Sequence, residues 1–105
     1  MNFDLLTLHL EDFFTRHHIS SCPKARYAKW QEEVREAQMA WAAGNHSDIV
    51  DELCDVMITT IALMWSIGVV NVLWACWLKL HKTDRKYRER EDDTRIPKTN
   101  KMDSD

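Results

Sequence analysis

Residues 32–55 read EEVREAQMAWAAGNHSDIVDELCD. It carries two acid pairs spaced i, i+3: Glu33 with Glu36, preceded by Glu32, and Glu52 with Asp55. Residues three apart on a helix share a face, with Cβ atoms about 5–6 Å apart. Like charges held that close repel unless a cation sits between them. From Glu36 to Leu78 the chain has no lysine or arginine. A divalent metal is the economical alternative, since hard ions such as Mg²⁺ prefer oxygen ligands. Between the pairs, Gly44-Asn45 reads as a left-handed helix stop. A turn of about four residues there makes the flanking helices antiparallel neighbours. Glu36 then lies about two turns before the bend and Glu52 little more than one turn after it. Antiparallel packing at about 8–10 Å sets those levels side by side. Four carboxylates from two helices are expected to face one gap, a common way for bundles to build metal sites.

Length and composition frame this reading. With 105 residues, the chain has room for one hydrophobic core. Only two glycines and two prolines interrupt it, which favours long helices. The net charge of −3 is unevenly spread: residues 1–55 carry 10 acids against 5 bases, and residues 56–105 carry 7 against 9. The bases cluster at Lys79, Lys82, Arg85, Lys86, Arg88 and Arg90. An acidic half beside a basic cluster suits a metal with a polyanion such as a phosphate chain. It does not suit a nucleic acid polymer, for which the positive balance is too weak. Cys22, Cys54 and Cys76 are odd in number and far apart, neither a disulfide framework nor a zinc spacing. A reducing, cytoplasmic setting is the default. The first residues lack a basic segment followed by an apolar core, so no signal peptide is expected.

Periodicity predicts four helices. Residues 3–17 place Phe3, Leu6, Leu10, Phe13 and Phe14 on a helical period. A second helix is expected over 24–43, after the Ser20–Pro23 break, with Tyr27, Trp30, Val34, Ala37 and Trp41 on one broad face. Ser47 or Asp48 is expected to cap a third, running to residue 67. A fourth is expected from residue 71 into the basic segment, followed by a polar tail beyond residue 91 that contains Pro97. Residues 56–78 carry no formal charge. Their length permits a membrane span. Thr59, Thr60 and Ser66 dilute the run, and Gly68-Val69-Val70-Asn71 interrupts it. Two core helices joined at that break, the first buried all round, are therefore the preferred reading.

The string Glu32-Glu33-Val34-Arg35-Glu36, followed by Glu52-Leu53-Cys54-Asp55, is similar to the EExxE…ExxD signature of the MazG-like, all-α nucleoside triphosphate pyrophosphohydrolases. That superfamily includes dimeric dUTPases and dCTP pyrophosphatases. The first helix, the Pro23-Lys24 break, the apolar helix after Asp55 and the basic stretch from Lys79 to Tyr87 follow the same order, so the resemblance spans residues 3–90. It implies an all-α, four-helix-type bundle assembled as a homodimer or homotetramer, followed by the polar tail over 91–105. It implies Mg²⁺, with Mn²⁺ as a substitute, and hydrolysis of (deoxy)nucleoside triphosphates to the monophosphate and pyrophosphate, a house-cleaning of nucleotide pools. By position, Glu33, Glu36, Glu52 and Asp55 would ligate the metal, and Glu32 would orient a water, the five forming the catalytic set. The family's downstream lysine and arginine match Lys79 and Arg85, with Lys82 beside them as a further phosphate-binding group; Asp84 stands where an asparagine is expected. Arg35 replaces a glycine that many relatives carry. The phosphoribosyl-ATP pyrophosphohydrolases of the histidine pathway share the helical carboxylate scheme. Their usual sequence around the acids does not match, so they rank behind.

Each feature also has a plainer reading. ExxE pairs are usually solvated helix faces, and Lys29 stands i, i+4 from Glu33. A basic run is more often a helix end favoured by the dipole than a phosphate clamp. The five tryptophans belong by default in a core or an interface. Trp41, Trp30 and Phe14 are the best placed to stack on a nucleobase, and Trp74 and Trp77 are assigned to a subunit interface. Two rival functions remain: a helical interaction protein of the same fold without catalysis, and a single-span membrane protein through residues 56–78.

Overall fold

A proline at the start and a glycine just past the end delimit the helix that carries the first acid pair. In the computed structural model, which describes residues 2–92, this is α2, Pro23–Ala43. It is preceded by α1, Phe3–Arg16, and followed by α3, His46–Ser66, and α4, Val72–Asp92. No strand occurs among the described residues, so the all-α expectation holds. The expected tail beyond residue 92 lies outside them.

Local chemistry explains the ends. Asn2 caps α1, its side chain accepting from the Leu5 N–H at 2.8 Å. Pro23 needs no N–H at the first position of α2. Gly44 adopts φ 82°, and its N–H returns to the Ala40 carbonyl at 3.1 Å. The link to α3 is only Gly44-Asn45, shorter than expected. Asn45, rather than Ser47 or Asp48, caps α3, accepting from the Asp48 N–H at 3.1 Å. Its carbonyl side chain is already in place one residue after the glycine, so the helix starts earlier. At the far end of α3, the Val69 N–H reaches back to the Met64 carbonyl at 2.9 Å around Gly68, φ 95°. The uncharged run is thus broken where the sequence suggested. Among the described residues no helix is long and apolar enough to cross a membrane, which removes the single-span reading of residues 56–78.

The chain divides into two compact units, Met1–Val72 and the part from Leu73 onward. In the first, α2 packs along α3. The buried core is Leu10, Ile61 and Val72, with Phe3, Leu6, Ile58, Met64, Trp65 and Val69 against it. Trp30 donates its indole N–H to the Thr60 hydroxyl at 2.9 Å, pinning α2 to α3 at mid-length. Helix α3 is not buried all round: Leu53 and Met57 are more than half exposed, because only α1 and α2 are there to cover it within this unit. In the second unit, the Trp74 and Trp77 rings stack at 5.1 Å, and both stay about half exposed.

Candidate metal centre

Glu33 is the one charged residue buried among the described residues, 6% exposed. Helix α2 carries it on the side that meets α3. One carboxylate oxygen, Oε2, accepts from Lys29 Nζ at 2.9 Å; the same ammonium stands 3.6 Å from Glu32 Oε1. The other oxygen, Oε1, is buried and has no hydrogen-bond partner. Across the interface, Oε1 of half-buried Glu52 is also buried without a partner. Orphaned buried acceptors of this kind are costly, and two of them occur in one cluster.

The cluster has two overlapping parts. Glu33, Glu52 and Asp55 each offer an oxygen, and the three lie within 4.8 Å of one another. Glu32, Glu33 and Glu36 do the same. Glu33 is therefore the hinge between the two sequence-predicted pairs. Opposite ligands of one octahedral Mg²⁺ are about 4 Å apart, twice a bond of about 2.1 Å, so small rotamer changes would let the trio share one ion. The fit is good on chemistry as well: the donors are hard oxygens, and two of them have nothing else to bind. Glu36 is exposed, yet its carboxyl holds its proton more tightly than an ordinary glutamate. The charge of Glu33 is the main cause, followed by partial desolvation and the charges of Glu52 and Glu32. Lys29 is shifted upward by its bond to Glu33. Repulsion among the acids is thus only partly relieved by the chain's own cation.

The remaining sequence-predicted residues fall elsewhere. In the second unit, Lys79, Lys82 and Arg85 line one shallow recess of α4 with Lys86 and Glu89. Asp84, the departure from the family pattern, pairs with Arg88 at 3.1 Å along its own helix. Of the three aromatics assigned to stacking, Trp41 is 73% exposed near the end of α2, and Trp30 is held by Thr60 and lies against Tyr27 at 5.9 Å. Phe14 meets the Trp65 ring edge-on at 5.7 Å. The three do not form one platform. What sequence reasoning missed is Arg26, whose buried Nε also lacks a partner. Its position seven residues before Glu33, on the same helical face, was the available signal.

A family model, Phosphoribosyl-ATP pyrophosphohydrolase, matches residues 9–84. The chain belongs to this family, and through it to the MazG-like all-α pyrophosphohydrolase superfamily. The superfamily is the one the acid pairs pointed to. The particular branch is the one the local sequence had ranked last, which corrects that ranking: the match extends over all four helices, whereas the ranking weighed only the residues next to the acids. No curated protein and no solved structure matches the chain.

Proposed function

We propose that the chain hydrolyses a nucleotide bearing a 5′-triphosphate between its α and β phosphates, releasing pyrophosphate. The observation that carries this reading is the trio Glu33, Glu52 and Asp55, three oxygens within 4.8 Å around a buried carboxylate. In the proposed reaction Glu33, Glu52 and Asp55 hold a divalent ion, Mg²⁺ or Mn²⁺, with Glu36 beside them. When bound, such an ion neutralises phosphate oxygens and lowers the pKa of water. Glu32 orients the attacking water. A carboxylate of the cluster takes its proton as the oxygen bonds to phosphorus and the pyrophosphate oxygen leaves. Lys29 holds Glu33 through Oε2 and leaves the buried Oε1 without a partner of its own. The basic recess of α4, Lys79, Lys82 and Arg85, is proposed to bind phosphate oxygens.

Two substrates fit this chemistry. One is a surplus or non-standard (deoxy)nucleoside triphosphate, removed as house-cleaning. The other is phosphoribosyl-ATP, favoured by the family match over residues 9–84. Both contain the same scissile bond. Pyrophosphate release is to be measured on phosphoribosyl-ATP and on a panel of ribo- and deoxynucleoside triphosphates, with and without Mg²⁺, beside a Glu52→Gln variant. Glutamine keeps the shape and removes the charge, so activity should drop by about two orders of magnitude or more. Equal turnover by the two proteins would remove Glu52 from the site. Absence of release from every nucleotide would leave the non-catalytic interaction protein as the better reading.

A further inference from the structure

The two halves of the carboxylate cluster differ in what already fills them. Glu32, Glu33 and Glu36 each offer an oxygen within 4.8 Å of the others, and so do Glu33, Glu52 and Asp55. In the first half a cation is in place: Lys29 Nζ stands 2.9 Å from Glu33 Oε2 and 3.6 Å from Glu32 Oε1. In the second half no cation is paired with Glu52 or Asp55, and the Oε1 atoms of Glu33 and Glu52 are buried without hydrogen-bond partners. Among the described residues Lys29 is the one base that pairs with an acid of the cluster.

An ordinary helix pair does not account for this. A lysine four residues before a glutamate is the weaker order of an i, i+4 pair on an exposed helix. Here the glutamate is buried, and a buried carboxylate without a compensating cation is costly. An ammonium and a divalent ion are two ways to compensate it, and they compete for the same oxygens. Mg²⁺ draws its ligands to about 2.1 Å. An ion held by Glu32, Glu33 and Glu36 would crowd the ammonium that two of those three acids already face. Two cations that close repel strongly where solvent screening is reduced. The Glu33–Glu52–Asp55 half carries no such conflict on Glu52 or Asp55.

We infer that Lys29 is a built-in cation filling the Glu32–Glu33–Glu36 half of the cluster, so that each chain binds one divalent ion, in the Glu33–Glu52–Asp55 half, where the acids alone would bind two. This rests on the reading of the cluster as a metal centre. Lys29 is thereby a positioning residue: it acts through Glu33 and sets the number of ions. Replacing its charge with an apolar chain of similar length opens the first half to a second ion.

The test counts Mn²⁺ ions on the full chain, without nucleotide, by titration calorimetry and by the loss of the free-ion paramagnetic resonance signal. The wild type and Lys29→Arg are expected to bind one ion per chain and Lys29→Met two, with the count returning to one in Lys29→Met combined with Glu32→Gln. Thermal melting supplies a second readout. Metal-free Lys29→Met should melt below the wild type, and saturating Mn²⁺ should raise its melting point by more than it raises that of the wild type, because binding to the folded state alone stabilises it. If Lys29→Met does not fold without metal, recovery of its helical signal on adding Mn²⁺ supports the inference, and the ions are counted on the recovered protein. A lysine that only steadies the helix would lower the melting point and leave the count at one. Two ions on the wild type, or one ion on Lys29→Met with the wild-type affinity, overturns the inference and leaves the metal centre standing. No ion on the wild type overturns both. The expected counts together with no release of pyrophosphate from any nucleotide would support Lys29 as the built-in cation while the catalytic reading fails.

Discussion

At the scale of single residues, burial separates Glu33 from its neighbours. Four other acids lie around it, and all of them keep more contact with solvent than its 6%. Glu36 bears the electrostatic consequence: its carboxyl is shifted upward, above all by Glu33. A raised carboxylate means that the folded state binds the proton more tightly than the unfolded chain, so stability falls as pH rises. Below the ordinary glutamate value of 4.5 both states hold the proton and the effect vanishes. Thermal melting of the metal-free protein should therefore decline as pH climbs above that value, and Glu36→Gln should make the decline shallower. Parallel melting curves for the two proteins across that range would show that Glu36 does not feel the cluster. The acid pairs themselves were visible in the sequence as two i, i+3 spacings. Which of the acids would be buried was not, because burial depends on how α2 is rotated against α3. Arg26 escaped notice for the same reason: as one arginine in a helical pattern it looks like any solvated base.

At the scale of elements, the turn between α2 and α3 sets the register of the site. Two residues, Gly44 and Asn45, close it, and their side chains do separate jobs: none at the left-handed position, and a capping carbonyl at the next. Gly44 sits at φ 82° with open space where a Cβ would be. Gly44→Ala should then cost only the backbone strain, about 1 kcal/mol, and shift the melting point by about 4–8 °C. A thermal scan showing no change would mean that the turn relaxes freely, and the register of Glu36 against Glu52 would then depend on packing alone. Gly-Asn was readable as a helix stop. The cap was misplaced to Ser47 or Asp48 because several good capping residues crowd the start of α3, and only the helix axis direction selects among them. The break at Gly68 was likewise legible, and with it the division of the uncharged run into two helices.

At the scale of the whole molecule, apolar surface is in excess. In the first unit Met39, Trp41, Leu53 and Met57 are each more than half exposed; in the second, Trp74 and Trp77 are about half exposed. Large exposed apolar areas mark interaction surfaces. The assembly implied by the family resemblance, a homodimer or homotetramer, would cover them. Covering the exposed half of one tryptophan, about 100 Å², contributes roughly 2 kcal/mol. Sedimentation velocity is expected to give a mass that is a multiple of 12.4 kDa, with Trp77→Glu shifting the distribution toward the single chain. A single-chain species at all concentrations would withdraw the interface assignment of Trp74 and Trp77.

The helices, their breaks and the two acid pairs were all legible along the chain, because helical period, glycine stops and i, i+3 spacing are local properties. It took the packing of α2 on α3 to make Glu33 the carboxylate shared by both pairs, to leave Lys29 on just one of its oxygens, and to bury the Nε of Arg26 without a partner. Those facts depend on the rotation and depth with which α2 packs on α3, and no local pattern encodes either.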